Sequence, residues 1–431
     1  MRILLTSDWY PPVVNGVVTS VLTLTRQLEE RGHEVRTLTL APEARYSRDE
    51  LGYRLASVGA GVIYSDARVG VPPRARIVDE VVAWGPDVVH SQAEFTTFAW
   101  ARRVSEGSGA PLVHTYHTMY EDYTHYFSPS RRLGRACAAA FTRRVVARTD
   151  RVVAPTCKVA DLLAGYRVDA PVHVVPTGID TTALRPAVED AGLARRRAEL
   201  RAALRIRPDD LAAVYVGRLA KEKDLDAVLR LIAEHRGFRP RLVVVGDGPE
   251  RAALEQLSHR LGLDESVTFV GAVPREAVAD WYAVGDVFVS ASRSETQGLT
   301  YAEALACGLP VLCRADPCLD DLVTDGRVGW QYTTDAEFHQ RLDVLHASAE
   351  LRRELSREAR RTAVDQCSAQ GFGARIEEVY ELAVQAGPRG GPGAGGRRAT
   401  GARSSLRGPR DLRGPREGGA AVGRPAVAGA R

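Results

Sequence analysis

Short apolar segments alternate with longer amphipathic segments along the first half of the chain. Arg2–Thr6 is mostly apolar, Val17–Arg31 repeats apolar residues at helical spacing until Gly32, and Glu34–Leu40 is mostly apolar again. Further segments typical of buried strands are Asp87–His90, Pro111–Thr115 and Arg151–Ala154. Strands that alternate with helices predict a parallel sheet with helices on both faces.

The second half of the chain repeats this pattern. Its strand-like segments are Ala212–Val216, Arg241–Val245, Val267–Val270, Val287–Ser290 and Pro310–Cys313. A chain of 431 residues can bury two cores, so we predict two doubly wound α/β domains, residues 1–178 and 179–386. The join lies near Pro176–Asp180, and the helix-rich stretch Glu350–Ala386 closes the second domain. Ligands of such sheets bind beyond the carboxyl ends of the strands, which predicts a site in the cleft between the domains.

Residues 387–431 have a different composition. This stretch holds ten arginines, two acidic residues and thirteen of the 39 glycines, so we predict that it is disordered. Subtracting its charge of +8 from the whole-chain +4 leaves about −4 for the remainder, which is therefore not basic. Contact of the tail with nucleic acid or an anionic membrane stays open, but a solvated terminus is the favoured interpretation.

The cysteines and the apolar runs indicate in which compartment of the cell we expect the protein. Six cysteines occur without a Cys-x2-Cys pair or a His/Cys grouping at metal spacing, which predicts free thiols in a reducing cytoplasm. The apolar run after Met1 is too short for a signal peptide, and no window approaches the roughly 20 apolar residues of a spanning helix. We expect a protein that is soluble or lies on a membrane surface.

Two glutamates, Glu295 and Glu303, flank a glycine turn at the start of a predicted helix, Thr300–Gly308. The free N–H groups of a helix N-terminus favour a diphosphate, and Gly298 allows its close approach. Eight helical positions span roughly 12 Å. That is too far for the carboxyl pair of a glycoside hydrolase, which lies about 5 Å or 6.5–9.5 Å apart. The spacing suits a ligand with hydroxyls at both ends, such as a nucleotide sugar.

Cations and a second glycine turn are predicted at the same cleft. Arg218 and Lys223 follow the strand Ala212–Val216 and can neutralise a diphosphate, as a bidentate fork and a point charge respectively. Gly16 opens a helix after the first strand. The Val245–Pro249 turn lacks the third glycine of a dinucleotide fingerprint, and the acidic pair in Asp224–Asp226 is better explained by a helix start than by metal binding.

The segment His114–Phe127 is rich in polar aromatic residues, among them His117, Tyr120, Tyr123 and His125. We predict an acceptor site there, with a buried polar network as the alternative. Arginines follow in an alanine-rich stretch, and Arg144, Arg148 and Arg151 have the spacing of one helical face. Such a face suits an anionic membrane surface, and a solvated face is an equally good explanation.

Together these motifs resemble those of retaining GT-B glycosyltransferases with an E-x7-E motif. The resemblance covers residues 1–386 and rests on the Gly16 turn, Gly217-Arg218 with Lys223, and Glu295 with Glu303 in that order. More narrowly, Thr115–Tyr126 and Glu295–Tyr301 are similar to the diacylglycerol 3-glucosyltransferases, which make monoglucosyldiacylglycerol. The resemblance implies an α/β fold of the GT-B type, two Rossmann-like domains with parallel sheets that face a cleft.

The resemblance also implies a role for each site residue. The diphosphate is held by Gly16, Arg218, Lys223 and the backbone of Gly298 and Leu299, next to Gln297, and Glu303 holds the ribose. Glu295 and His117 bind sugar hydroxyls, and with Arg218 and Lys223 they form the expected catalytic set. Such enzymes use neither a metal nor a cofactor, and the donor phosphate itself takes the acceptor proton, so that configuration is retained.

We therefore expect an α-glucosyltransferase that moves glucose from UDP-glucose to diacylglycerol, peripheral on the inner face of the cell membrane. The expected partners are a nucleotide sugar, a lipid acceptor and an anionic membrane surface. One alternative keeps the fold and transfers mannose or another hexose to phosphatidylinositol or a soluble acceptor. A nucleotide-sugar epimerase and a nucleic-acid binder that acts through the tail are weaker alternatives.

Overall fold

Two sheets, one mostly and one entirely parallel, form the framework of the protein. The structure is a computed structural model, and it describes residues 1–13, 15–41, 47–49, 52–59, 68–70, 75–121 and 130–388. Tyr123, His125 and nearly all of the predicted tail lie outside these ranges. The predicted α/β class, with two Rossmann-like sheets, is confirmed by their strand orders.

The first sheet is built around a parallel centre. Its described strands are β1 (Arg2–Ser7), β2 (Glu34–Ala41), β3 (Ser47–Asp49), β4 (Gly52–Gly59), β5 (Arg68–Gly70), β6 (Val88–Ser91), β7 (Leu112–Thr115), β8 (Arg151–Ala154) and β9 (Val172–Val174). They are arranged β3-β4-β2-β1-β6-β7-β8-β9, and β3 and β5 pair antiparallel with β4. Ile3 of β1 aligns with Val35 of β2 and Val88 of β6. The strand order therefore reverses beside β1, which makes the β1 and β6 loops the switch point of this sheet.

The second sheet is parallel throughout. Its strands are β10 (Ala212–Val216), β11 (Arg241–Val245), β12 (Val267–Gly271), β13 (Val287–Ser290), β14 (Val311–Arg314) and β15 (Gly329–Tyr332), arranged β12-β11-β10-β13-β14-β15. Ala213 and Val214 of β10 align with Val287 and Phe288 of β13. The loops after β10 and β13 thus lie at the switch point, and these loops carry the predicted cations and Glu295.

Helices cover both faces of each sheet. In the first half they are α1 (Gly16–Glu30), α2 (Ala75–Trp84), α3 (Thr96–Ser108), α4 (Arg131–Val146) and α5 (Cys157–Gly165). In the second half they are α6 (Ala191–Ala203), α7 (Leu225–Glu234), α8 (Arg251–Arg260), α9 (Val278–Val284), α10 (Leu299–Ala306), α11 (Asp335–Ala347), α12 (Ala349–Cys367) and α13 (Ala369–Ala386). In α1, for example, Val18, Val21, Leu24 and Leu28 recur on one buried face.

The two closing helices pack against different sheets. Ala359 and Ala363 of α12 belong to a core cluster of the second sheet. Phe372 and Ile376 of α13 instead join Ile3 and other residues of the first sheet in one core cluster. The stretch that we predicted as the end of the second domain therefore returns to the first sheet, because the apolar face of α13 completes the core beside α1. The predicted domain boundaries at 178 and 386 stay predictions.

One prediction about the arginines is wrong. Arg144 lies in α4, but this helix ends at Val146, Arg148 lies in the turn that follows, and Arg151 is the first residue of β8. Arg151 is partly buried and donates hydrogen bonds to the Leu382 carbonyl (2.7 Å) and the His173 ring (3.1 Å). Its role is therefore structural. The sequence hid this break because Ala147–Asp150 contains no glycine or proline to mark the end of the helix.

Two further observations concern the whole described part. None of its helices is both long and apolar enough to cross a membrane. All six cysteines are free thiols, and four of them are buried. Burial raises the pKa of the buried thiols, for example that of Cys318 to about 12, so these side chains are unreactive packing groups.

Candidate active site

The loop between β13 and α10 carries the central carboxylate. Gly298 stands directly before α10 in the left-handed conformation, with a φ of 71°. A Cβ atom there would lie 2.9 Å from the Tyr301 ring and 3.1 Å from Leu319, so the turn has room only for glycine. The turn aims the free N–H groups of the first turn of α10 out of the sheet edge, where an anion can bind them.

Glu295 and Lys223 are in contact. Lys223 Nζ donates to Glu295 Oε1 across 2.7 Å, and the Glu295 side chain is only 9% exposed. Lys223 reaches this position from a short 3-10 turn, Lys221–Lys223, in the loop after β10. Two elements that are 72 residues apart in the chain thus place an ammonium and a carboxylate side by side at the start of α10.

Glu303 lies within α10, further into the protein. Its Oε2 accepts a hydrogen bond of 3.0 Å from the Tyr282 hydroxyl. Burial raises the pKa of the Glu303 carboxyl, while the Tyr282 bond and the positive charge of Arg275 oppose this shift. Arg275 also donates to Thr19 Oγ1 of α1 at 2.7 Å, so this arginine links the second half to the first beside the cleft.

Arg218 and the two neighbouring glycine turns lie at the same sheet edge. The Arg218 side chain is exposed, and its carbonyl accepts a bond of 3.1 Å from the Tyr215 hydroxyl. A Cβ on Gly246 would lie 1.9 Å from the Gly217 carbonyl oxygen. The Val245–Pro249 turn, in which we found no dinucleotide fingerprint, therefore packs against the loop of Arg218 and supports it from behind.

Gly16 lies opposite these groups, in the first half. The side chain of Asn15 caps α1 by accepting the Val18 N–H at 2.9 Å. A Cβ on Gly16 would lie 3.6 Å from Leu299 Cδ1, which places the start of α1 directly beside the start of α10. The two predicted anion-binding turns are thus brought together across the cleft.

The carboxyl edge of the first sheet carries a hydrogen-bonded network. His117 Nε2 lies 2.7 Å from Gln92 Oε1, and Gln92 in turn contacts the buried ring of His90. Burial lowers the pKa of His117 to about 4, an effect that the neighbouring His114 strengthens and Glu94 opposes. His117 is therefore neutral near pH 7 and acts as a hydrogen-bonding group rather than a cation.

Glu94 and Asp8 give this edge an acidic character. Tyr120 donates to Glu94 Oε2 at 2.8 Å, and His114 Nε2 lies 3.5 Å from Glu94 Oε1. Asp8 accepts the Thr97 N–H at 2.9 Å. Burial raises the pKa of Asp8 to about 6, the Glu94 charge adds to this, and the bonds from Thr97 oppose it. Neither carboxylate was among the predicted site residues.

A groove of about 360 Å³ lies between α3 and α4, and Glu94 is one of its lining residues. Its apolar wall includes Phe95 and Phe141, which stack with ring centroids 5.7 Å apart, although Phe95 is 54% exposed. The groove is also lined by three arginines, Arg102, Arg144 and Arg148. The two predicted arginines thus line one groove, and Tyr120 packs edge-on against the rings of Phe95 and Phe141 in its wall.

The remaining predicted residue, Gln297, contacts the link between the halves. Its Nε2 donates to the Thr177 carbonyl at 2.9 Å, so its side chain already has a partner in the protein. The structure adds Lys158, which contacts both the Glu295 carbonyl and Asp316. A signal for this residue was present in the sequence, because only three of the 58 basic residues are lysines: Lys158, Lys221 and Lys223. No group of three or more His, Cys, Asp or Glu side chains in the described part is arranged to hold a metal ion.

Comparison with known proteins identifies the family. Residues 14–183 match the family model described as Glycosyltransferase Family 4, and residues 196–362 match that of Glycosyl transferases group 1. A relative from Streptococcus pneumoniae, an alpha-monoglucosyldiacylglycerol synthase, is 32% identical over 89% of this chain and 86% of its own length. The chain is a GT-B glycosyltransferase. Both halves of the described cleft belong to this family, since the first match takes in the first sheet from β2 onward and the second match takes in the whole second sheet.

Two other relatives of the glycosyltransferase are named for the transfer of different sugars. The alpha-monoglucosyldiacylglycerol synthase of Acholeplasma laidlawii is 31% identical over 83% of this chain and 92% of its own. The GDP-mannose-dependent alpha-mannosyltransferase of Mycolicibacterium smegmatis is 31% identical over 82% of this chain and 90% of its own.

Solved structures have the same fold at lower identity. A sucrose-phosphate synthase from Thermosynechococcus elongatus superposes with a TM-score of 0.70 at 20% identity and covers 89% of this glycosyltransferase and 99% of its own chain. Anabaena HepE, crystallised with UDP and glucose, gives a TM-score of 0.66 at 17% identity and covers 89% and 100% of the two chains.

Proposed function

We propose that this glycosyltransferase moves glucose from UDP-glucose to diacylglycerol at the inner face of the cell membrane, with retention of configuration and without a metal or other cofactor. The contact between Lys223 and Glu295 beside the start of α10 carries the donor part of the proposal. The names of the relatives from S. pneumoniae and A. laidlawii support glucose and diacylglycerol.

The donor lies along the loop of Glu295 and the start of α10. Its diphosphate binds the N–H groups after Gly298 and the cations of Arg218 and Lys223. These two side chains provide the positive charge that a metal ion would otherwise supply. Glu303, partly buried and held by Tyr282, accepts hydrogen bonds from the ribose hydroxyls. Glu295 accepts them from the sugar, because Lys223 occupies only one of its two carboxylate oxygens.

The transfer step exchanges one bond at the anomeric carbon for another. The acceptor hydroxyl oxygen bonds to this carbon, the bond from the carbon to the diphosphate breaks, and the hydroxyl proton passes to the departing phosphate oxygen. Arg218 and Lys223 stabilise the negative charge that grows on the diphosphate. His117 is neutral and hydrogen-bonds a sugar hydroxyl without adding a charge that would compete for the phosphate.

The acceptor and the membrane contact the first half. Glu94 lines the groove between α3 and α4 and accepts a hydrogen bond from Tyr120, so this pair can orient the acceptor hydroxyl. Phe95 and the exposed Leu133 offer apolar contact with the lipid, while Arg144 and Arg148 attract anionic headgroups. Tyr123 and His125, outside the described residues, stay predicted parts of this acceptor surface.

A second candidate function keeps the same cleft and changes the ligands. The M. smegmatis relative, named for GDP-mannose, has nearly the same identity to this chain as the two synthases. Transfer of mannose or another hexose to phosphatidylinositol or a soluble acceptor therefore remains the alternative. It shares the diphosphate site and differs in the base, the sugar and the acceptor.

One experiment distinguishes the two candidates. The protein is incubated with radiolabelled UDP-glucose or GDP-mannose and with vesicles that contain diacylglycerol or phosphatidylinositol, and the products are extracted into organic solvent. We expect label in the solvent phase only with UDP-glucose and diacylglycerol. Glu295→Ala is the inactive control. Labelled product from GDP-mannose would contradict the proposed donor. Labelled product that stays in the aqueous phase would contradict the proposed acceptor.

A further inference from the structure

The loop that carries Glu295 is held by the first half of the molecule. Thr156 Oγ1, which also caps α5, donates to the Thr296 carbonyl at 3.1 Å. Lys158 Nζ donates to the Glu295 carbonyl at 3.1 Å, and the Gln297 side chain returns a bond to Thr177. Three consecutive residues of the donor loop are therefore fixed by groups from the opposite side of the cleft.

Lys158 is the centre of these contacts. Its ammonium lies 2.8 Å and 3.1 Å from the two carboxylate oxygens of Asp316, in addition to its bond to the Glu295 carbonyl. The Lys158 side chain is 17% exposed and that of Asp316 is 4% exposed. Asp316 is itself fixed, because it accepts the Cys318 N–H at 2.8 Å and its own N–H is bound by Gln331. The ammonium therefore joins a rigid carboxylate to the backbone of the donor loop.

The choice of lysine at this position is informative. Arginine is the usual cation of this chain, with only three lysines among 58 basic residues, and two of these three contact Glu295. Lys223 contacts its carboxylate and Lys158 its carbonyl. A compact ammonium can bond a carboxylate and a carbonyl in different directions at once, whereas a planar guanidinium prefers a bidentate pair with the carboxylate. In Lys158→Arg, the guanidinium would keep the ion pair with Asp316 and displace the Glu295 carbonyl.

We propose that Lys158 is a positioning residue of the donor site, which sets the backbone of Glu295 so that its carboxylate meets the sugar. The halves must be in contact for Lys158 to reach this loop, so recognition of the sugar depends on the closed cleft. The nucleotide and diphosphate bind to other groups, and their affinity does not depend on Lys158. This inference rests on the proposed role of Glu295 as a sugar ligand.

The test uses calorimetry to measure how much the sugar adds to the affinity for the donor. This gain is expressed as the dissociation constant of UDP divided by that of UDP-glucose. Lys158→Arg keeps the charge, and we expect it to reduce this ratio about tenfold or more, the loss expected when a charged hydrogen bond is misplaced. Lys158→Met alone leaves Asp316 buried without its cation and can unfold the protein. The double variant Lys158→Met with Asp316→Asn avoids this, and its ratio should fall as well while UDP affinity stays unchanged.

Arg201→Met is the matched control. Arg201 forms a similarly buried pair with Asp286 at 3.1 Å, near the start of β13 and therefore at the opposite edge of the second sheet. We expect it to lower stability and to leave the ratio unchanged. If both Lys158 variants keep the wild-type ratio, or if they weaken UDP and UDP-glucose equally, the positioning role is wrong.

The same experiment separates this inference from the proposed function. If the wild-type protein gains nothing from glucose but binds GDP-mannose more tightly than GDP, the proposed donor is wrong and the Lys158 variants are judged on the mannose ratio. If the wild type gains nothing from either sugar, both proposals fail.

Discussion

The two edges of the cleft differ in charge and in burial. The second sheet presents Lys223 and Arg218 around the partly exposed start of α10, and its carboxylate Glu295 is paired with a cation. The first sheet presents Asp8 and Glu94 in a buried network of histidines and tyrosines. The first edge therefore favours neutral donors of hydrogen bonds, and the second favours anions.

This difference indicates which substrate belongs to which side. A diphosphate gains from cations and helix N–H groups and is repelled by carboxylates. A hydroxyl group gains from carboxylates, to which it can donate. The molecule that accepts the sugar therefore fits the first edge if its reacting end is an uncharged hydroxyl, as in diacylglycerol. The nucleotide fits the second edge.

The largest expected effect comes from substitutions at the cationic edge of the cleft. Glu295→Ala and Arg218→Ala should each lower kcat/KM about a hundredfold to a thousandfold, because each removes a group that acts on the donor in the transition state. Lys221→Met is the matched control, an exposed lysine in the same turn, and we expect less than about a threefold change. Steady-state kinetics on folded variants measure this. Full turnover by either variant would refute the donor site.

The acidic side can be tested through stability. A carboxyl whose pKa rises to about 6 on folding holds an extra proton in the folded protein, so its contribution is greatest at low pH and is lost as the pH rises from about 4 to about 6. Asp8→Asn removes this dependence. The stability of the variant relative to wild type should increase by up to about 3 kcal/mol over that interval. Urea unfolding at pH 4, 5, 6 and 7 measures the difference, and a flat difference would show that Asp8 is not perturbed.

A smaller effect is expected on the acceptor. Glu94→Gln removes a charge from the lining of the groove and should lower transfer about tenfold to a hundredfold, because the proposed acceptor hydroxyl loses a charged partner. The affinity for UDP should not change. Glu106→Gln, an exposed change in α3, is the control. A loss of UDP affinity in Glu94→Gln would mean that the two edges do not act separately.

The smallest effect concerns the membrane. Arg144→Gln combined with Arg148→Gln should weaken sedimentation with anionic vesicles about tenfold at low salt and less at high salt. Arg353→Gln with Arg357→Gln removes the same charge from exposed positions of α12. Equal losses in the two double variants would show that net charge matters and that the groove does not.

Much of the donor side could be predicted from local sequence. Strand β13, the glycine turn and α10 are contiguous, so the apolar run, Gly298 and the following helix indicate this local structure, while its ligand stays a prediction. The position of Arg151 could not be predicted in this way, because helical spacing continues past the point where the chain turns into β8. The acidic groups were missed for a related reason. Asp8 and Glu94 come from different strand ends and have no motif of their own.

The sequence by itself determined the class of fold and the glycine turn between β13 and α10, since both depend on the order of residues along short segments. The tertiary structure alone decided that Lys158 and Lys223 meet at Glu295, that α13 returns to the first sheet, and that Asp8 and Glu94 come together at the carboxyl edge of that sheet. The physical reason is that burial, ion pairing and pKa shifts depend on which segments pack together. Distances across the cleft arise only when both sheets have folded.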